Sequence, residues 1–117
     1  MSKNWFHDMV VMHQKFGVNK WMDKEKISKD SRLNEYMKFR ISMMQEELDE
    51  TKVAFENKNE EEVVDGIIDL CVFAIGTLEV FGVDANKAWD QVYHANISKE
   101  VGIKEGRPNP LGLPDLV

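Results

Sequence analysis

Two clusters of carboxylate side chains, about twenty residues apart, are the part of this sequence best suited to chemistry. The first cluster contains Glu46, Glu47 and Glu50, and the second contains Glu62, Asp65 and Asp69. On a helix that turns about 100° per residue, each cluster forms one stripe. Like charges at these spacings repel and weaken an isolated helix. A divalent cation between the two stripes would relieve that repulsion, and hard cations prefer oxygen ligands.

The ligand types indicate which metal would fit. None of the three histidines follows a glutamate by three residues, as the metal ligands of di-iron bundles do. The single cysteine, Cys71, cannot build a zinc site. An all-oxygen set favours Mg²⁺, with Mn²⁺ as the alternative. Because Mg²⁺ usually takes substrate phosphates as further ligands, we expect metal-assisted attack on a phosphoryl group.

Both clusters also have a purely structural interpretation. Acidic runs on helices are usually solvated faces, which is what we expect of Glu60 and Glu61. Asp69, however, lies in the run 67–75, which is apolar on nearly every face. That pattern predicts a helix that is central or lies at a subunit interface. We therefore expect Asp69 to be buried, and to be neutral, paired with a basic side chain, or bound to a cation.

Helices must position these residues, and apolar periodicity predicts the first two. Residues 5–16 form one helix, which Gly17 ends. Residues 18–30 are polar and lysine-rich and are predicted to be a loop, in which Trp21 could cover a substrate. The next helix begins near Asp30 or Ser31 and runs to about residue 58.

Two further helices follow. Asn59 is predicted to cap a helix that reaches about Phe81 and ends at Gly82. Asp84 then caps a helix over about 85–99, and the proline- and glycine-rich tail, about 102–117, is predicted to be extended. Nothing in the sequence predicts a strand, so the expected fold is an all-α four-helix bundle.

Bulk properties limit the function. A length of 117 residues predicts a single domain, residues 1–117. The net charge of −6 argues against broad nucleic-acid binding. We expect no signal peptide in residues 1–10 and no membrane span, since no apolar stretch approaches about eighteen residues. A lone cysteine in an apolar run fits a reducing compartment, and we expect a cytoplasmic protein.

The ordered motifs resemble the MazG-like, all-α nucleoside triphosphate pyrophosphohydrolases. The resemblance is carried by Glu46-Glu47-Leu48-Asp49-Glu50 followed by Asp65-Gly-Ile-Ile-Asp69-Leu70, which is similar to the family's EExxE and the acidic pair on its next helix. His13-Gln-Lys-Phe16-Gly17 is similar to the FHxxFG opening of one branch, and Asn96-Ile-Ser-Lys99 also matches that branch. The acidic pair is either Glu62 with Asp65 or Asp65 with Asp69. We prefer the second, because of the apolar run that follows.

The resemblance implies an activity, an assembly and residue roles. A nucleoside triphosphate would be cut between its α- and β-phosphates, and the chain would form a homodimer or a dimer-of-dimers tetramer. Mg²⁺ would be held by the carboxylates, for which we predict Glu46, Glu47, Glu50, Asp65 and Asp69. Glu47 could also accept the proton of the attacking water. Lys99 is the predicted catalytic cation, and Asn96 would hydrogen-bond ribose or phosphate.

The remaining predicted substrate contacts are His13, Lys38, Arg40 and His94. His13 would face the nucleobase and His94 would touch phosphate. A lone histidine on an amphipathic helix is more often packed at the edge of the core, and this is the alternative for His13. For Lys38 and Arg40 the alternative is helix-surface charge or pairing with acidic residues.

Two other functions stay open. One is phosphoribosyl-ATP pyrophosphohydrolase activity in histidine synthesis, against which the FHxxFG-like opening and the tail argue. The other is a non-catalytic acidic helical module that binds a partner protein or only a cation. Pyrophosphate release from a nucleotide panel with and without Mg²⁺ distinguishes the enzymes from the module.

Overall fold

The computed structural model describes residues 4–23 and 29–98, which form five α-helices and, within those ranges, no strand. The helices are α1 (Trp5–Phe16), α2 (Val18–Asp23), α3 (Lys29–Glu56), α4 (Glu60–Phe81) and α5 (Ala85–Ile97). The prediction of an all-α fold is confirmed. The described helices fall into two compact units, α1 to α4 and α5. The single domain and the arrangement of the helices as a bundle stay predictions, and the extended tail lies outside the described residues.

Local capping fixes the ends of the helices where the sequence predicted them. The Asn59 side chain accepts a hydrogen bond from the backbone N–H of Glu62 at 3.3 Å, and α4 begins at the next residue after Asn59. Gly82 ends α4 with a left-handed φ of 69°, which glycine adopts without strain. Asp84 caps α5 by accepting from the backbone N–H of Lys87 at 3.0 Å. These signals are local, which is why the sequence alone reveals them.

The loop predicted over 18–30 is wrong for its first part, where residues 18–23 form helix α2. This short helix contacts both α1 and α3. Met22 is buried, and the ring of Trp21 lies 6.5 Å from that of Tyr36, centroid to centroid. Tertiary packing therefore stabilises a segment whose own apolar pattern is too weak to predict a helix.

Helices α3 and α4 form an antiparallel hairpin across the short connection at 57–59, and α1 packs on α4. The prediction that α4 is buried on most sides is wrong for the single chain, because Ile67 and Ile68 are 48% and 44% exposed. Helix α1 covers only part of the apolar surface, which leaves one stripe of α4 open. The alternative that this stripe lies at a subunit interface stays a prediction.

Within the described residues, no helix combines the length and apolar character that a membrane span needs.

Candidate active site

The hairpin of α3 and α4 brings the two carboxylate clusters together at Glu47 and Asp69. Partial burial raises the pKa of the Glu47 carboxyl, and the negative charges of Glu50, Asp69 and Glu46 raise it further, as does a side-chain hydrogen bond with Glu50. Asp69 comes from the other helix of the hairpin. Glu47 and Asp69 therefore lie near one another across the hairpin.

A glycine and a threonine set how closely the two helices approach. A β-carbon built on Gly66 would lie 2.2 Å from the Thr51 hydroxyl oxygen, far inside van der Waals contact. That hydroxyl donates a 2.7 Å hydrogen bond to the backbone carbonyl oxygen of Glu47. Gly66 lies between Asp65 and Asp69 in sequence, so the close approach occurs within the carboxylate cluster. Sequence reasoning missed this role, although a glycine inside an apolar helical pattern is its signal.

Further acids surround a cavity of about 530 Å³ at the same hairpin. Glu50, Glu62 and Asp65 all line it, together with apolar side chains such as Val53. Glu50 thus belongs both to this cavity and to the group around Glu47. The two alternatives for the acidic pair therefore have different surroundings. Glu62 lines the cavity, whereas Asp69 lies beside Glu47.

The donor chemistry fits a hard divalent cation, because every candidate ligand is a carboxylate oxygen. As the side chains stand, the described residues contain no group of three His, Cys, Asp or Glu that is positioned to hold a metal ion. Glu46, Glu50 and Asp65 are exposed, whereas Glu47 is half-buried. Asp69 is also only half-buried, so its side chain is less buried than the sequence predicted.

His13 and Arg40, two of the predicted substrate contacts, lie in a buried hydrogen-bond network. His13 is 3% exposed and Arg40 is 8% exposed. The Arg40 Nε donates to the Tyr36 hydroxyl at 2.6 Å, and Arg40 Nη2 lies 3.2 Å from His13 Nε2. On the other side of the ring, His13 Nδ1 bonds to the carboxylate of Glu79. The network links α1, α3 and α4.

The arginine fixes the tautomer of His13. Guanidinium nitrogens only donate hydrogen bonds, so the Nε2 of His13 must accept from Arg40. The proton of the neutral ring then lies on Nδ1, from which it is donated to Glu79. Both ring nitrogens are used inside the protein. This arrangement matches the alternative of a packed histidine, and contact of His13 or Arg40 with substrate stays a prediction.

Gly76 allows His13 to lie directly against α4. A β-carbon at Gly76 would come within 2.8 Å of the Met9 methyl carbon and 3.1 Å of His13 Nε2. The guanidinium carbon of Arg40 also lies 5.3 Å from the centre of the Phe73 ring, which stabilises the charge by a cation–π contact. Because Arg40 precedes Glu47 by about two turns of α3, the network anchors the helix that carries the first carboxylate cluster.

The other predicted substrate residues lie elsewhere. Lys38 is exposed on α3. In the separate unit formed by α5, His94 is exposed and its ring meets that of Tyr93 edge-on at 5.3 Å. Asn96 is half-buried, and among the described residues its Oδ1 has no hydrogen-bond partner. Lys99 lies outside the described residues. The roles of these four side chains stay predictions.

Comparison with known proteins identifies a family. A family model described as phosphoribosyl-ATP pyrophosphohydrolase matches residues 11–96, which include α3, α4 and both carboxylate clusters. Searches of the curated proteins and of the solved structures give no match.

Proposed function

This chain belongs to the phosphoribosyl-ATP pyrophosphohydrolase family of phosphoric-anhydride hydrolases, and we propose that it hydrolyses nucleoside triphosphates between the α- and β-phosphates. The products are the nucleoside monophosphate and pyrophosphate, and the proposed role is the removal of unwanted nucleotides from the pool. The reaction depends on Mg²⁺, with Mn²⁺ as a substitute.

The observation that carries the proposal is the effect of Asp69 on Glu47. Carboxylates from two helices lie close enough for the charge of one to raise the pKa of the other. Such repulsion destabilises the hairpin unless a positive charge offsets it. A bound cation would supply that charge, because it neutralises the carboxylates and links them to the phosphate oxygens of a substrate.

In the proposed site the metal would be held by five carboxylates, those of Glu46, Glu47, Glu50, Asp65 and Asp69. When bound, the metal supplies a Lewis acid for phosphate and water oxygens. The oxygen of water forms a bond to the α-phosphorus, and the bond from that phosphorus to the bridging oxygen breaks. Pyrophosphate leaves with the electron pair. Glu47 accepts the proton of the attacking water.

Cationic and amide side chains would bind the substrate. We propose Lys99 as the group that offsets negative charge on the phosphates, with Asn96, His94 and Lys38 as further contacts. His13 and Arg40 act mainly by holding α3 against α1 and α4, since their polar atoms bond within the protein.

We also propose that the chain works as a homodimer or a homotetramer. The exposed residues Val64, Ile67, Ile68 and Leu78 follow one another at helical spacing on α4. Exposed apolar patches of this kind mark interaction surfaces, and a second copy of the chain would cover this one.

Pyrophosphate release from a panel of nucleoside triphosphates, with and without Mg²⁺, tests the function. We expect release only with Mg²⁺ and a loss of about 10²-fold or more in kcat for Glu47→Gln. Glu56→Gln, an exposed change at the end of the same helix, is the matched control and should retain activity. Absence of release from every nucleotide would overturn the proposal and leave a binding module.

A second candidate function follows from the description of the family, which names phosphoribosyl-ATP. Phosphoribosyl-ATP belongs in the same panel. Release of pyrophosphate from it alone would assign the chain to histidine synthesis, whereas release from simple nucleoside triphosphates would assign it to nucleotide clearance.

A further inference from the structure

A second cavity, of about 430 Å³, lies where α1, α2 and α3 meet, and most of its lining is aromatic. Phe16, Trp21, Tyr36 and Phe39 contribute the rings, and Glu35 contributes a carboxylate. Its volume lies within the range of ordinary ligand pockets. Nothing in the proposed chemistry at Glu47 and Asp69 uses this cavity.

The aromatic rings are open to solvent to an unusual degree. Phe16 is 71% exposed and Phe39 is 57% exposed, although large apolar rings are normally covered. Trp21 is already held on one side, because the guanidinium of Arg32 lies 4.4 Å from its ring centroid. Rings that are exposed around a cavity offer flat apolar faces on which another flat ring can stack.

The cavity and Glu46, the first acid of the carboxylate cluster, lie along the same side of α3. Phe39 and Glu46 are seven residues apart, which is about two turns and about 10 Å along the axis. Glu35 precedes Glu46 by eleven residues and falls within about 20° of it around the helix. A molecule bound along this face would therefore reach Glu46 with one end and the aromatic cavity with the other. A nucleotide has this form, with a flat base at one end and phosphates at the other.

We propose that the aromatic cavity binds the base of the substrate and that Glu35 selects bases that carry an exocyclic amine. The inference rests on the proposed nucleotide hydrolysis. An ionised carboxylate only accepts hydrogen bonds. Adenine and cytosine present an amino donor where thymine presents a carbonyl oxygen, and guanine also carries an amine. Glu35 accepts hydrogen bonds from these amines, whereas uracil and thymine carry no exocyclic amine and present a carbonyl oxygen where cytosine has its amine.

Binding of deoxynucleoside monophosphates, measured by calorimetry on the full chain with Mg²⁺ present, tests the cavity without any hydrolysis. We expect dAMP, dCMP and dGMP to bind about tenfold more tightly than dUMP and dTMP, the effect of one charge-assisted hydrogen bond. Glu35→Gln should remove most of this preference, because an amide also donates to carbonyl oxygens. Phe39→Ala should weaken all five by a similar factor through lost stacking.

Glu56→Gln, at the far end of α3, is the matched control and should leave all five affinities unchanged. Equal affinity for the five monophosphates, or an unchanged preference in Glu35→Gln, would overturn the proposal and leave the rings as a packing surface. If the proposed function is wrong, no nucleotide releases pyrophosphate, however the monophosphates bind. Release of pyrophosphate without base preference would overturn only the proposed role of the cavity.

Discussion

Gly66 on α4 lies so close to Thr51 on α3 that a β-carbon at Gly66 would stand 2.2 Å from the Thr51 hydroxyl oxygen. Because the same hydroxyl donates to the carbonyl oxygen of Glu47, the close approach is tied to the backbone of the first carboxylate cluster. The separation of the two helices, and with it the distance between their acids, depends on the absence of a side chain at residue 66.

Gly66→Ala should therefore destabilise the protein. Alanine normally stabilises a helix interior relative to glycine by about 1 kcal/mol, but here the clash should outweigh that gain and lower the free energy of unfolding by about 1–3 kcal/mol. Urea denaturation measures the change. Thr51→Ala in the same chain removes the clashing oxygen, so the double variant should be more stable than additivity predicts. A Gly66→Ala protein as stable as the wild type would contradict the packing.

In the metal-free protein, Glu47 should contribute less to stability at neutral pH than it does in acid. The folded-state pKa of Glu47 is raised, so its contribution to stability is present below the unfolded pKa and is lost as the pH rises through the folded pKa. In the presence of EDTA at pH 7, Glu47→Gln should raise the melting temperature, and the gain should disappear near pH 4, roughly the unfolded value.

The same variant should respond less to metal. A given Mg²⁺ concentration should raise the melting temperature of the wild type more than that of Glu47→Gln, because stabilisation by a ligand of the folded state grows with its affinity. Glu56→Gln serves as the control and should follow the wild type. A metal-free Glu47→Gln protein that melts below the wild type at pH 7 would show that the carboxylate is stabilised rather than repelled.

The His13 network makes a prediction that separates packing from substrate contact. His13→Ala removes the group that accepts a hydrogen bond from Arg40 and donates one to Glu79. The buried charge of Arg40 is then less well compensated. The free energy of unfolding should fall by about 3 kcal/mol. His7→Ala, an exposed change on the same helix, should stay within about 0.5 kcal/mol of the wild type. If His13→Ala is fully stable and only the KM for nucleotide rises, the histidine contacts substrate instead.

How far the sequence predicts this molecule depends on whether a feature is local. Asn59 and Gly82 act on their own helix ends, so the bounds of α4 are predictable. Helix α2 depends on contacts of Met22 and Trp21, and no local pattern reveals it. The bond between His13 and Glu79 joins residues 66 positions apart, so only the fold shows that the ring is occupied.

The candidate site was likewise predictable only where its features are local. The two acidic stripes are visible as spacing along α3 and α4, and their juxtaposition follows from a short connection between helices. The aromatic cavity is not visible in this way, because its rings come from three helices. Trp21 was nevertheless recognisable as a residue without an obvious place in a core.

The apolar stripe on α4 predicts the response of the assembly to a single charge. Ile67→Lys should convert a dimer or tetramer to smaller species, because a buried, unpaired ammonium group is strongly unfavourable in an interface. Val11→Lys is the matched control: Val11 is 50% exposed and lies on the side of α1 away from Met9 and His13. Sedimentation measures the mass of the assembly that each variant forms. An Ile67→Lys protein with the mass of the wild type would show that this stripe is not the interface.

We propose that Glu47 on α3 and Asp69 on α4 hold one magnesium site in common. Calorimetric titration of the metal-free protein with Mg²⁺ tests it most directly. We predict that Glu47→Gln and Asp69→Asn each weaken Mg²⁺ binding by about tenfold or more, roughly the 1.4 kcal/mol expected of one lost charged ligand. Glu61→Gln, an exposed change on α4, should bind as the wild type does. An Asp69→Asn protein with wild-type affinity for Mg²⁺ would show that the two helices do not share a magnesium site.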